Sequence, residues 1–143
     1  ADAAADHVAR LHRFGQTVMV QPYLHSLDTQ GEVDLIFIAG VYSHAVHKQP
    51  ALRPGDGVVD EPWRRMAWSG VTAPTPAQLD VAERAMQMVA DRFDDRPAYG
   101  RVDLVADQRD DPVVLEVELI DPYLSLDMVP SAAARLADAI LPR

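Results

Sequence analysis

The 143-residue sequence has no cysteine, a single lysine and no long apolar run, and each absence removes a class of function. Without cysteine there is no disulfide framework, no thiolate zinc site and no cysteine nucleophile, which fits a reducing, cytoplasmic setting. Lys48 stands alone against twelve arginines, so chemistry that needs an ammonium has one candidate. The apolar run Leu35 to Gly40 is far too short for a membrane span, and Ala1 to Asp6 carries acid where a signal peptide would carry base. Basic charge is scarce too. Thirteen basic against 22 acidic residues leave a net charge of −9, a field that repels nucleic acid and anionic membrane surfaces.

The composition is that of a folded protein, with 48% hydrophobic and 24% charged residues. A chain of this length makes one domain and buries roughly two-thirds of the surface that it exposes unfolded. Val8 and Leu11, with Gly15 beyond, predict a short helix over 3–14. The β-branched and aromatic runs 17–24 (TVMVQPYL) and 32–40 (EVDLIFIAG) predict a pair of strands, and 42–48 (YSHAVHK) returns as a third after a turn at Ala39-Gly40-Val41. Residues 49–73 show no periodicity and read as a long, mobile loop, in which Trp63, Arg64, Arg65 and Trp68 either close over a substrate or anchor the loop.

Thr75, Pro76 and Gln78 form a capping-box signature, and Leu79, Ala82, Met86, Val89 and Phe93 line one face of a helix over 76–93. Runs 99–107 (YGRVDLVAD) and 112–120 (PVVLEVELI) predict a hairpin, followed by a loop and a closing helix over 130–141 with Ala133, Leu136, Ala137 and Ile140 inward. The order of elements predicts an α+β fold, a mostly antiparallel sheet covered by helices.

The hairpin carries the chemistry. With its turn centred on Arg109 and Asp110, Asp103 lies opposite Glu116 and Arg101 opposite Glu118, so all four share one face, leaving Val102, Leu104, Leu115, Val117 and Leu119 for the core. Like charges across strands repel, and the face is either a solvated, ion-paired surface or a site for a divalent cation. Oxygen ligands alone favour Mg²⁺ or Mn²⁺ over zinc. His44 and His47 point to opposite faces of a strand and cannot share a metal.

Arg101-Val-Asp103 followed by Glu116-Val-Glu118 resembles the R-x-D and E-x-N strands of the ATP-grasp ligases, including D-alanine:D-alanine ligases. The runs SHAVHKQP and LEVELIDPYL are similar to a glutathione-synthetase-like branch that takes in D-cycloserine ligases. The resemblance spans residues 17–141 and implies a carboxy-terminal ATP-grasp lobe, with the amino-terminal lobe of the same protein absent from this chain. It implies Asp103, Glu116 and Glu118 as magnesium ligands and Arg101 beside the transferred phosphate. Gln21, Pro22 and Tyr23 match the hinge that holds adenine, Glu32 matches the carboxylate that takes the ribose hydroxyls, and Lys48 is either a phosphate or substrate contact or a solvated lysine at a strand end. Glu118 departs from the usual Asn and adds a negative charge.

The activity so implied is an ATP-dependent joining of a small-molecule carboxylate to an amine through an acyl phosphate. Its rivals are a non-catalytic binding or dimerisation module and a metal-dependent phosphohydrolase. A lobe without its partner is expected to expose apolar surface from Val18 to Tyr23 and to self-associate.

Overall fold

Thr75 starts the helix that organises one side of the molecule. Its hydroxyl accepts from the Gln78 amide, and the Gln78 side chain accepts from the Thr75 amide at 2.8 Å, so two otherwise unpaired donors are satisfied at the helix start. In the computed structural model, which describes residues 2–50 and 68–141, the elements run α1 (Asp2–Arg13), α2 (Ser26–Gln30), β1 (Glu32–Ile38), β2 (Val41–Lys48), β3 (Trp68–Thr72), α3 (Pro76–Phe93), β4 (Tyr99–Ala106), β5 (Pro112–Glu118) and α4 (Pro130–Ile140). The five strands form one antiparallel sheet in the order β3-β2-β1-β4-β5. This is the expected α+β architecture.

Alternation along the strands gives the sheet two different faces. On one, Leu35, Phe37, Ala45, Val102 and Leu104 pack beneath Ala82 and Met86 of α3. The opposite face is split along its length. Ile36, Ile38 and Val46 are covered at one end by Ala132 of α4 and by Leu124, Leu126 and Met128 of the loop before it. At the other end the same face carries Glu32, Asp34, Lys48, Arg101 and Asp103, all buried.

Four expectations need correction. Residues 17–24 form no strand, and β1 pairs instead with β2 and β4. Met19 and Val20 of that segment are 83% and 78% exposed, so its strand-like composition has no ladder to join among the described residues. Within the expected 49–73 loop, Trp68–Thr72 is an edge strand paired to β2, while Trp63, Arg64 and Arg65 lie outside the described residues.

A bulge in β5 moves Leu115 out of the core row. Asp103 faces Glu116 but Leu104 faces Val114, so Leu115 is the extra residue between the two pairs. Finally, α4 turns Ala132, Leu136 and Ala139 inward, leaving Ala133 and Ile140 exposed. An alanine-rich helix offers adjacent apolar stripes, and the loop residues packed with it decide which one docks.

Positive-φ positions stand at both ends of the β1–β2 pair, the turn at its apolar end and Gly31 at its charged end. Ala39 and Gly40 both take positive φ, 52° and 75°, which gives the tight turn that lets β2 return directly along β1. Gly31 has φ 70°, and a Cβ there would meet the Lys48 carbonyl oxygen at 2.5 Å and His47 Nε2 at 2.9 Å. Gly31→Ala is therefore expected to destabilise the chain by about 1–3 kcal/mol, read as a lowered urea midpoint at unchanged slope.

Candidate nucleotide and metal site

β4 and β5 bring together the charged pairs expected from sequence, although the register next to the turn is offset by one residue and the bulge at Leu115 restores it. The Asp107 carboxylate accepts from the amides of Arg109 at 2.7 Å and Asp111 at 3.0 Å, and Asp110 takes the left-handed conformation that closes the hairpin. Arg101 then pairs with Glu118 and Asp103 with Glu116. β1 places Asp34 directly across from Asp103, and β2 places Lys48 across from Glu32.

Arg101 is the hub. Its Nε donates to Asp103 Oδ1 at 2.7 Å and its NH2 to Oδ2 at 2.8 Å, the two-pronged geometry that a guanidinium offers a carboxylate. NH2 also lies 2.9 Å from Glu118, and NH1 donates to the Tyr123 carbonyl at 3.3 Å. Lys48 occupies the other side, its Nζ 2.6 Å from Glu32 and 3.6 Å from Asp34. Glu32, Asp34, Asp103, Glu116 and Glu118 against these two cations leave a formal charge of −3 on one end of one sheet face.

Burial and like charge act on the titration of these groups. Burial, with Asp103 alongside, raises the Asp34 carboxyl to about 7 against the opposing pull of Lys48 and Arg101. Burial also raises Glu118, opposed by Arg101 and reinforced by Asp103 and Glu116. For Lys48 burial works downward, but Asp34, Glu32 and Asp103 outweigh it and keep the ammonium charged. The same balance holds Arg101 above its usual value.

Two sets of carboxylate oxygens have metal-ligand spacing, each within 4.8 Å of one another: Asp103 with Glu116 and Glu118, and Glu32 with Asp34 and Asp103. The first is the set expected from sequence, and it opens outward because Glu116 is exposed. All its donors are oxygens, which suits a hard cation such as Mg²⁺ or Mn²⁺.

The remaining candidates fall in two places. Glu32 and Lys48 join the charged end as a buried ion pair, so the alternative of a solvated lysine at a strand end does not hold. Gln21, Pro22 and Tyr23 lie on the exposed segment outside the sheet, where the Tyr23 hydroxyl donates to Asp28 and its ring meets His25 edge-on. His44 and His47 do point apart: His44 is buried between the Ser43 hydroxyl and the Leu124 carbonyl, while His47 reaches the Gln30 carbonyl. Burial lowers the His44 pKa, so its neutral ring pins the loop that leads to α4.

Sequence reasoning missed Asp34, which is fully buried at the centre of the cluster. Its signal was available, since Glu32 and Asp34 alternate on a strand otherwise made of apolar residues.

No family model matches the chain. Over all 143 residues it is 39% identical to the cycloserine biosynthesis protein DcsG of Streptomyces lavendulae, and it covers 48% of that protein. The crystal structure of D-cycloserine synthetase DcsG matches with a TM-score of 0.86 at 38% identity, over 97% of this chain and 46% of that one. A D-alanine–D-alanine ligase from Bacillus anthracis complexed with ATP matches in fold, with a TM-score of 0.57 at 12% identity, over 97% of this chain and 45% of that one. The chain thus spans just under half the length of the relatives it matches.

The raised Asp34 carboxyl has a definite consequence for stability. Between the ordinary carboxylate range and about pH 7 the folded chain holds a proton that the unfolded chain has released, so this group's contribution to stability falls as pH rises across that window. Urea midpoints from pH 4.5 to 7.5 are expected to decline more steeply for the wild type than for Asp34→Asn, which has no proton to lose.

Proposed function

We propose that the chain is the nucleotide- and metal-binding carboxy-terminal lobe of an ATP-grasp ligase dependent on ATP and Mg²⁺. The proposed reaction joins a small-molecule carboxylate to an amine. The observation that carries this reading is the group formed by Arg101, Asp103, Glu116 and Glu118, brought to one sheet face by the hairpin register. Likeness to a cycloserine biosynthesis protein favours a small-molecule substrate over a macromolecule.

In this reading the substrate carboxylate attacks the γ-phosphorus of ATP, ADP leaves, and the amine displaces phosphate from the acyl phosphate. No protein nucleophile is needed, so the side chains have to position and neutralise charge. Asp103, Glu116 and Glu118 would hold Mg²⁺ or Mn²⁺, which supplies positive charge to the β- and γ-phosphates. Arg101 orients Asp103 and Glu118 and adds its own charge beside the transferring phosphoryl group. Lys48 supplies a second fixed positive charge on the same face, and Glu32 takes the ribose hydroxyls.

The exposed segment bearing Gln21, Pro22 and Tyr23 is read as the adenine hinge. We assign its exposed Met19 and Val20 to contact with the remaining, amino-terminal part of the same protein, so residues 1–143 are one lobe of a larger enzyme. An isolated lobe with these side chains uncovered is expected to self-associate. Among the described residues no helix is long and apolar enough to cross a membrane, and the reading takes an ATP-consuming enzyme to be cytoplasmic.

Calorimetric titration with a non-hydrolysable ATP analogue tests the reading. Binding by the complete gene product is expected to require Mg²⁺, and Asp103→Ala with Glu116→Ala is expected to weaken it by about 1.5–3 kcal/mol, ten- to a hundredfold in Kd. Absence of any metal-dependent binding by the complete protein would favour a non-catalytic module instead.

A further inference from the structure

The inner set of carboxylates already contains a cation. Lys48 Nζ lies 2.6 Å from Glu32, 3.6 Å from Asp34 and 4.0 Å from Asp103, and the oxygens of these three residues have the mutual spacing of a metal's ligands. All three carboxylates are buried. Neither oxygen of Asp34 accepts a hydrogen bond, although the side chain is wholly removed from solvent. A buried carboxylate with no hydrogen bond to either oxygen and only longer ionic contacts, to Lys48 at 3.6 Å and Arg101 at 3.7 Å, in a group spaced as ligands, is set up for a closer ion.

Residue type supports the same conclusion. Every other basic position in the chain is arginine, and the one lysine stands here. A compact ammonium fits among three carboxylates as a small ion would, whereas a planar guanidinium is built for the two-pronged contact that Arg101 makes with Asp103. Because Asp103 belongs to both sets, an ion in the inner one would draw on the carboxylate that the outer one needs.

We propose that Lys48 is the resident cation of an inner site made by Glu32, Asp34 and Asp103, and that it limits the chain to metal binding at the outer set. Removing its charge turns the inner set into an additional divalent-cation site. This rests on the proposed function only in naming the outer set as the metal site. The gain of an ion is counted against wild type, and so is read independently of it.

The test is the number of Mn²⁺ ions bound per chain, measured by electron paramagnetic resonance of free Mn²⁺ for wild type, Lys48→Met and Lys48→Met with Asp34→Asn. Lys48→Met is expected to bind one ion more than wild type, and the added Asp34→Asn to abolish the extra ion. Since Lys48→Met takes the ammonium from Glu32 and leaves Asp34 and Asp103 with Arg101, its circular dichroism and Tm are followed with and without Mn²⁺. Folding restored by Mn²⁺ supports the inference; a variant that stays unfolded at every metal concentration overturns it. Equal stoichiometry in wild type and Lys48→Met also overturns it, as does an extra ion retained without Asp34. Wild type without any ion, beside a Lys48→Met chain with one, would count against the ligase reading and leave this inference standing.

Discussion

The contact between Arg101 and Asp103 is the constraint on which the charged end of the molecule depends. Five carboxylates on neighbouring strands would repel one another, and removal from water would make the three buried ones, Glu32, Asp34 and Asp103, costly to ionise. Arg101 binds both oxygens of Asp103, touches Glu118 and holds the Tyr123 carbonyl of the loop beyond. One side chain thereby ties β4, β5 and the path to α4 into a single geometry. Lys48 does the corresponding work across β1 and β2 through Glu32. What compensation these two cations leave undone, a formal −3, is the charge that makes the face attractive to a divalent cation.

The division of labour along the sheet follows from the same strands. Ile36 and Ile38 on β1 continue the face on which Glu32 and Asp34 sit, so one strand changes from charged floor to apolar core within two residues. The loop after β5 lies at this boundary. Its backbone is held by Arg101 on the charged side and by the neutral His44 ring on the apolar side. Ser125 in that loop takes φ 50° with its hydroxyl buried, so the chain there is fixed by its surroundings rather than by local preference.

Much of this was legible in the sequence because it depends on local rules. Thr75 to Gln78 announces a helix start, and a polar turn between two strand-like runs announces the hairpin on which Arg101 and Glu118 meet. What could not be read depends on partners. Residues 17–24 have the composition of a strand but, among the described residues, no neighbouring strand to pair with, and a ladder requires one. The bulge at Leu115 leaves no mark in a continuous apolar run. Trp68–Thr72 is an edge strand supported by β2 alone, with too little alternation to separate it from the loop. The alternation of Glu32 and Asp34 was visible in the sequence, but the place of Asp34 opposite Asp103 appears only when β1 lies beside β4, a pairing set by the whole sheet.

The most direct test of the central claim, that the outer carboxylates form a metal site beside Arg101, is anomalous diffraction from crystals of the chain soaked in Mn²⁺ with a non-hydrolysable ATP analogue. The account predicts a manganese peak about 2.0–2.6 Å from oxygens of Asp103, Glu116 and Glu118, with analogue phosphate on its open side. Manganese elsewhere on the chain, with those three carboxylates free of it and the analogue bound, would contradict the account.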